Sequence, residues 1–185
     1  MGDIKKQKKK YMTPPHPWLR ARIETEKILL KEYGIKNKKE LWKMDSQRKR
    51  YAQLAKRLIA NKTVQGEREK EELIQKLIRI GLITPGAVID DILSISIKDI
   101  LERRLQTLVY RKGLARSVGQ ARQFIVHEHI CVKGKKIKSP SYIVRKEEED
   151  VLSFSVYSQL SDEEHPERSK EKKKAEVKNG QKAAA

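Results

Sequence analysis

His127, Glu128, His129 and Cys131 lie within five consecutive positions, HEHIC, and imidazole, carboxylate and thiolate are the groups that hold zinc. A structural zinc site takes four ligands in tetrahedral geometry, so these side chains would have to converge on one point. The surrounding pattern works against that. Up to His127 the apolar residues recur at helical spacing, whereas in HICVKG Ile130 and Val132 alternate with His129, Cys131 and Lys133, the period of a strand. His127 therefore ends a helix while His129 and Cys131 begin a strand. The other histidines, His16 and His165, fall in the two terminal stretches. No metal or other cofactor is expected, and Cys131 reads as a small, inert strand residue.

Other chemistries lack their constellations. The chain has no G-x-x-x-x-G-K-[ST] phosphate loop, no G-x-G-x-x-G, no H-E-x-x-H and no nucleophile elbow. Its carboxylates cluster in EREKEE and KEEED, mixed or acidic runs that read as solvated surface. The apolar inventory covers two small cores with little left to line a pocket. An enzyme acting on a small-molecule substrate is not expected.

Charge points to a different kind of partner. The 185 residues carry 43 Lys and Arg against 25 Asp and Glu, a net +18, which favours a polyanion. An anionic membrane is the weaker candidate: no segment approaches the roughly 18 apolar residues of a spanning helix. The opening MGDIKKQKKK has no apolar core of a secretory signal, and Lys6 stands where a myristoylation motif wants Ser or Thr. A single cysteine permits no internal disulfide and suits a reducing, cytosolic compartment. Nucleic acid is the expected partner.

The elements that would present such a surface fall into four stretches. Residues 1–17 are a lysine-rich arm with prolines at 14, 15 and 17, expected to run extended and to order only against its partner. Residues 18–95 read as a small helical domain. Its first stripe, Leu19 to Leu30, stops at Gly34. Asn37 with Glu40 forms a capping-box pattern for a short helix, Asp45 or Ser46 caps the next, and another runs from about Glu67 to Ile80 with Gly81 closing it. ITPGAVIDDILSIS then connects to residues 96–158. There Ser96 and Asp99 cap one helix through to Gly113, with Leu101, Leu105, Leu108 and Val109 on its inner face. Arg103, Gln106 and Thr107 point outward, with Arg104 and Arg111 on a flank. Ser117 and Gln120 cap a second helix that buries Val118, Ala121, Phe124 and Ile125. A hairpin turning at Gly134 and Lys135 follows, and SYIV and VLSFSV add short strands, the latter with Leu152, Phe154 and Val156 on one face. Residues 159–185 lack apolar period and read as a disordered charged tail. The fold class is α+β: a mainly helical N-terminal domain, then two helices on a small twisted antiparallel sheet.

Two helices and the hairpin bring together Arg103, Arg104, Lys112, Arg116, Arg122, Lys133, Lys135 and Lys136. Guanidinium groups hold two phosphate oxygens at once, and the N-terminus of the second helix adds free N–H groups. Phosphate-and-shape recognition of this kind suits folded RNA better than a DNA groove. Arg103 and Arg104, read as lying off the core, should be replaceable together without unfolding the domain.

The stretch LERRLQTLVYRKGLARSVGQARQFIVHEHICVKGKKIKSPSYIV closely resembles the RNA-binding domain named after the fourth protein of the small ribosomal subunit. Arg103, Arg104, Ser117, Gln120, Ala121, Arg122, His127, His129 and Gly134 match its fingerprint. YMTPPHPW, EYGIKNKKELW and LIRIGLI resemble the archaeal and eukaryotic branch of that ribosomal family, so residues 5–160 are covered. The resemblance implies direct binding of small-subunit ribosomal RNA at a junction in the 5′ domain, a part in early assembly, a place beside the fifth small-subunit protein, and an influence on decoding accuracy. Some bacterial members carry a four-cysteine zinc knuckle, which this chain lacks. The expected RNA-contacting set is Lys8, Lys9, Lys10, Tyr11, Arg48, Arg50, Arg103, Arg104, Arg111, Lys112, Arg116, Ser117, Gln120, Arg122, Gln123, His127, His129, Lys133, Lys135 and Lys136. The same domain is attached to pseudouridine synthases, methyltransferases and tyrosyl-tRNA synthetases, but those need a catalytic domain, and the rest of this chain reads as short basic helices. A free-standing RNA chaperone or heat-shock factor is the third reading.

Overall fold

The structure is a computed structural model and describes Lys9, residues 11–162, His165 and Glu167. Lys8 and Lys10 of the expected RNA-contacting set, and residues 163, 164, 166 and 168–185 of the expected disordered tail, lie outside the described residues, whereas the start of that tail is ordered: Gln159–Ser161 forms a 3-10 turn that buries Leu160. The chain divides into two compact units, one up to Leu101 and one from Glu102.

In the first unit, helix α1 (Arg20–Glu32) starts once the prolines are passed and ends before Gly34, whose φ of 56° is open to glycine at little steric cost. The next helix corrects the sequence expectation. Instead of two short helices there is one of 23 residues, α2 (Lys38–Ala60). Asp45 and Ser46, the expected caps, sit inside it and bond along it: Asp45 pairs with Arg48 at 3.0 Å and Lys49 at 2.8 Å, and the Ser46 hydroxyl donates to the Trp42 carbonyl at 2.7 Å. Asn37 holds the extended backbone of an N-cap but its side chain makes no capping bond. Helix α3 (Val64–Ile80) begins three residues earlier than expected, because Thr63 caps it by accepting from the Gly66 N–H at 3.1 Å. Gly81 closes it in the left-handed region, donating to Leu77 and Ile78 carbonyls. Leu41, Met44, Tyr51, Ala55 and Leu58 of α2 are buried, as are Leu73 and Leu77 of α3. Part of the expected connector forms a short helix, α4 (Asp91–Ser94), which packs Ile92 on α2.

The arm differs from expectation from Tyr11 onward. The Tyr11 ring lies 6.3 Å from that of Trp42, and the Met12 N–H donates to Ser46 Oγ at 2.8 Å. Arg22 donates to the carbonyls of Pro17 at 2.7 Å and His16 at 3.2 Å. This stretch is therefore held by its own chain. Beneath it Glu26, 7% exposed, accepts from the Trp42 indole N–H at 3.1 Å, pairs with Lys38 at 3.2 Å and bonds Arg22. Burial pushes this carboxyl up, but the Trp42, Lys38 and Arg22 groups together outweigh it and hold the pKa below the ordinary carboxylate range. A depressed folded-state pKa stabilises above the unfolded value and loses that contribution as pH falls through the folded one. Between roughly pH 5 and 3 the wild-type urea midpoint should accordingly fall more steeply than that of Glu26→Gln. Parallel pH profiles of the two would contradict the assignment.

The helix that crosses into the second unit, α5 (Ile97–Glu102), has the expected cap: Ser96 N–H to Asp99 Oδ2 at 2.8 Å, and Asp99 N–H to Ser96 Oγ at 3.4 Å. It does not continue to Gly113. At Arg104 the backbone is extended, φ −73° and ψ 140°, and pairs with Ile143, so that Leu105 N–H donates to Tyr142 O at 2.8 Å and Val144 N–H to Arg103 O at 3.0 Å. A new helix, α6 (Leu105–Arg111), then starts at a different rotation. SYIV is accordingly a bridge to this break and not a ladder strand. Helix α7 (Val118–Val126) is capped by Ser117 Oγ, which accepts from Gln120 N–H at 3.1 Å; the Gln120 side chain accepts from Arg116 N–H and not from Ser117.

Strand β1 (Ile130–Val132) is central, flanked by β2 (Lys135–Lys136) and, after the short helix α8 (Lys146–Glu149), by β3 (Leu152–Phe154), both antiparallel. Val132 pairs with Lys135, so the turn residues are Lys133 and Gly134, at φ 50° and 75°, one position earlier than expected. Two positive φ values match the right-handed strand twist of a type I′ turn. α6, α7 and the sheet enclose a core around Leu105, Val109, Ile125, Ile130 and Val144. KEEED is solvated only in part: Lys146, Glu147 and Asp150 are exposed, but Glu148 is buried and accepts from the Tyr142 hydroxyl at 3.0 Å and the Arg145 N–H at 3.1 Å. Leu152 and Phe154 face the core as expected, but Val156 lies beyond the strand and is exposed.

Candidate nucleic-acid interface

The break between α5 and α6 decides which basic residues face outward. Because α6 restarts after an extended residue, Gln106 and Thr107 turn inward and are buried, contrary to the single-helix wheel. Arg104 is 1% exposed and among the largest fully buried side chains. Arg103 retains 14% side-chain exposure, with its guanidinium on Glu149 Oε2 at 2.8 Å and on the Val144 carbonyl. Arg103 thus ties the break to the 142–149 segment through its side chain and Arg104 does so through its backbone, and the expectation that Arg104 lies beside the core is overturned, since its side chain is fully buried.

The remaining residues form three groups. At the start of α7, Ser117 is an exposed cap, Arg116 pairs with Glu167 at 3.6 Å, and the Gln120 amide donates to the same carboxylate at 2.9 Å. Arg122 is half-buried with Nη1 3.4 Å from Gln106 Oε1, while Gln123 is exposed. Beside α8, Lys112 donates to the Glu149 carbonyl, and Arg111 pairs with Glu102 at 2.8 Å. Both are solvent-facing.

The third group is built on the hairpin. Lys133, Lys135 and Lys136 are all exposed; Lys133 stands 3.8 Å from Glu147, and the Lys136 ammonium lies 5.1 Å from the ring centroid of Tyr157. His127 and His129 have ring centroids 6.4 Å apart. His129 packs edge-on to Phe124 and its Nδ1 is 2.8 Å from Ser158 Oγ. Burial, then the neighbouring His127 and Lys136, hold its pKa below the ordinary histidine value. Cys131 is buried in β1, and among the described residues no group of three or more His, Cys, Asp or Glu is arranged to hold a metal. HEHIC is a helix-to-strand junction.

In the first unit, Lys9 and Arg50 are exposed, Arg48 is held by Asp45, and Tyr11 lies against Trp42. Sequence reasoning passed over Lys138, exposed and paired with Glu128 at 2.7 Å, and Tyr157, since a strand through Val156 hid the turn in which Tyr157 sits.

A helix pair packed on a three-stranded antiparallel sheet, with a lysine hairpin at its edge, is the architecture of an S4 domain, and the S4 domain family model matches residues 103–151. The similarity extends well beyond that domain. The small ribosomal subunit protein uS4 of Methanococcus aeolicus is 49% identical over 177 residues, 95% of this chain and 100% of the relative. The proteins of that name from two Methanococcus maripaludis strains, C5 and C7, are 47% and 48% identical over 169 residues, 91% of this chain and 95% of each relative. The chain belongs to the uS4 family of small ribosomal subunit proteins. It is a structural protein and not an enzyme.

Proposed function

We propose that the protein is a component of the small ribosomal subunit that binds small-subunit ribosomal RNA directly, in the cytoplasm, and needs neither cofactor nor small-molecule substrate. The observation that carries this reading is the set of exposed lysines, Lys133, Lys135 and Lys136, on a hairpin whose register is fixed by β1, within a chain of the uS4 family. Ammonium groups on a rigid hairpin meet phosphates without first ordering a loop. Gln123, His127 and Lys112 extend the contact surface with exposed donors, and Arg116, Ser117 and Gln120 add the capped start of α7. No helix among the described residues is long and apolar enough to cross a membrane.

Family membership supports the finer parts of the proposal. The RNA site is a junction in the 5′ domain, binding comes early in assembly, and the fifth small-subunit protein is a neighbour through which decoding accuracy is affected. Binding at that stage calls for a body that is folded beforehand, and the second unit has a closed core of its own. The test is retention: the protein should stay with small subunits through a high-salt wash and sediment with them. Its release into the supernatant with other loosely held basic proteins would count against the reading.

A further inference from the structure

The turn after β3 carries a feature that the lysine hairpin does not explain. Ser158 N–H donates to Ser155 O at 2.9 Å, closing a four-residue turn with Val156 and Tyr157 at its centre. Both ends are pinned. Ser155 N–H donates to His129 O at 2.7 Å, and Ser158 Oγ meets His129 Nδ1 at 2.8 Å while accepting from Leu160 N–H at 3.1 Å. The two serines are buried, whereas Val156 and Tyr157 are 87% and 89% exposed. Turn centres ordinarily hold Gly, Pro, Asn, Asp or Ser. Here a fixed turn holds a large aromatic ring out in water, where the protein's own core makes no use of it.

The ring's surroundings identify what it fits. Lys136 approaches it at 5.1 Å, the geometry of a cation–π contact, and Lys136 itself belongs to the lysine hairpin. His129, which anchors the turn, has His127 as its neighbour. A nucleotide needs a ring for the base and a cation for the adjoining phosphate, and Tyr157 with Lys136 supplies both. We infer that Tyr157, whose one ring face lies under the Lys136 ammonium, is a stacking platform for an unpaired base of the bound RNA on its other, solvent-open face, with Lys136 on the adjoining phosphate. This rests on the RNA-binding reading of the same surface.

Full-length Tyr157→Ala and Tyr157→Phe, titrated with a transcript of the small-subunit 5′ domain at fixed salt, test the inference. The Ala variant should bind about tenfold more weakly and the Phe variant within about twofold of wild type, since stacking requires the ring and not the hydroxyl. The salt slope should not change, because no ion is released by stacking. Both variants should melt as wild type does, the side chain being solvent-facing. Wild-type affinity in the Ala variant, or equal loss in both variants, would overturn the inference. An Ala variant that binds the transcript normally but fails to enter subunits would also overturn it, in favour of a protein occupant. Failure of the wild-type protein to bind the transcript is a separate outcome: it would remove the RNA-binding reading itself, and the stacking role with it.

Discussion

Arg104→Ala is expected to destabilise the second unit by about 2 to 5 kcal/mol, the range for truncating a long apolar core side chain, because the buried Arg104 stem fills the same kind of space. The residue is basic and stands in the most RNA-like part of the sequence, so composition would assign it to phosphate. Its position says otherwise. At 1% exposure it fills space at the N-terminus of α6, where the backbone leaves the helical region to pair with Ile143. Truncation leaves a void in a small core and loosens the break that sets the rotation of α6. With domain stabilities of about 5 to 15 kcal/mol, a loss of this size leaves a substantially unfolded population on mild warming. Urea denaturation of the variant gives the answer directly. A midpoint equal to wild type, combined with weakened RNA binding, would restore Arg104 to the contact surface.

The opposite behaviour is expected of the hairpin lysines. Replacing Lys133, Lys135 and Lys136 together with alanine should leave the urea midpoint nearly unchanged, because all three are solvent-facing and the surface pair of Lys133 with Glu147, at 3.8 Å, contributes little. RNA affinity should fall by about a hundredfold or more at roughly 0.1 M salt, and the logarithmic salt slope should flatten by about 2 to 3, each lost phosphate contact removing about 0.7 to 0.9. A salt titration of the triple variant beside wild type separates the two parts of the effect. Loss of affinity with an unchanged slope would mean that these lysines act through shape and not through phosphate. Stability and binding are thus assigned to different basic residues only a few elements apart.

Local signals were legible where the determinant is local. The Ser96 and Asp99 cap, the Ser117 cap, the Gly81 stop and the switch from helical to strand period after His127 all depend on residues within a turn or two. The misreadings share a cause in long-range pairing. Residues 97–112 have an unbroken helical pattern, and only the 142–144 segment, some forty residues later, offers hydrogen bonds that make an extended Arg104 the better solution. That one break buries Arg104, sets the Arg103 guanidinium on Glu149, and draws Glu148 and Glu149 out of an apparently solvated run. Asp45 and Ser46 were misread for a related reason: each is a sound cap in isolation, yet side chains one turn away and the arm satisfy them within a continuous α2. The alternation in VLSFSV extended the expected strand by two residues, and the buried serines that end it carry no hydropathy signal.

In the assembled particle the lysine hairpin of the second unit should lie on small-subunit ribosomal RNA. Ultraviolet crosslinking in cells, followed by sequencing of the attached RNA and mass spectrometry of the attached peptide, tests it most directly. The predicted result is RNA from the 5′ domain of the small-subunit ribosomal RNA joined to peptides spanning residues 127–136 and 155–158. Crosslinks spread over transfer or messenger RNA, or confined to peptides of the first unit, would contradict it.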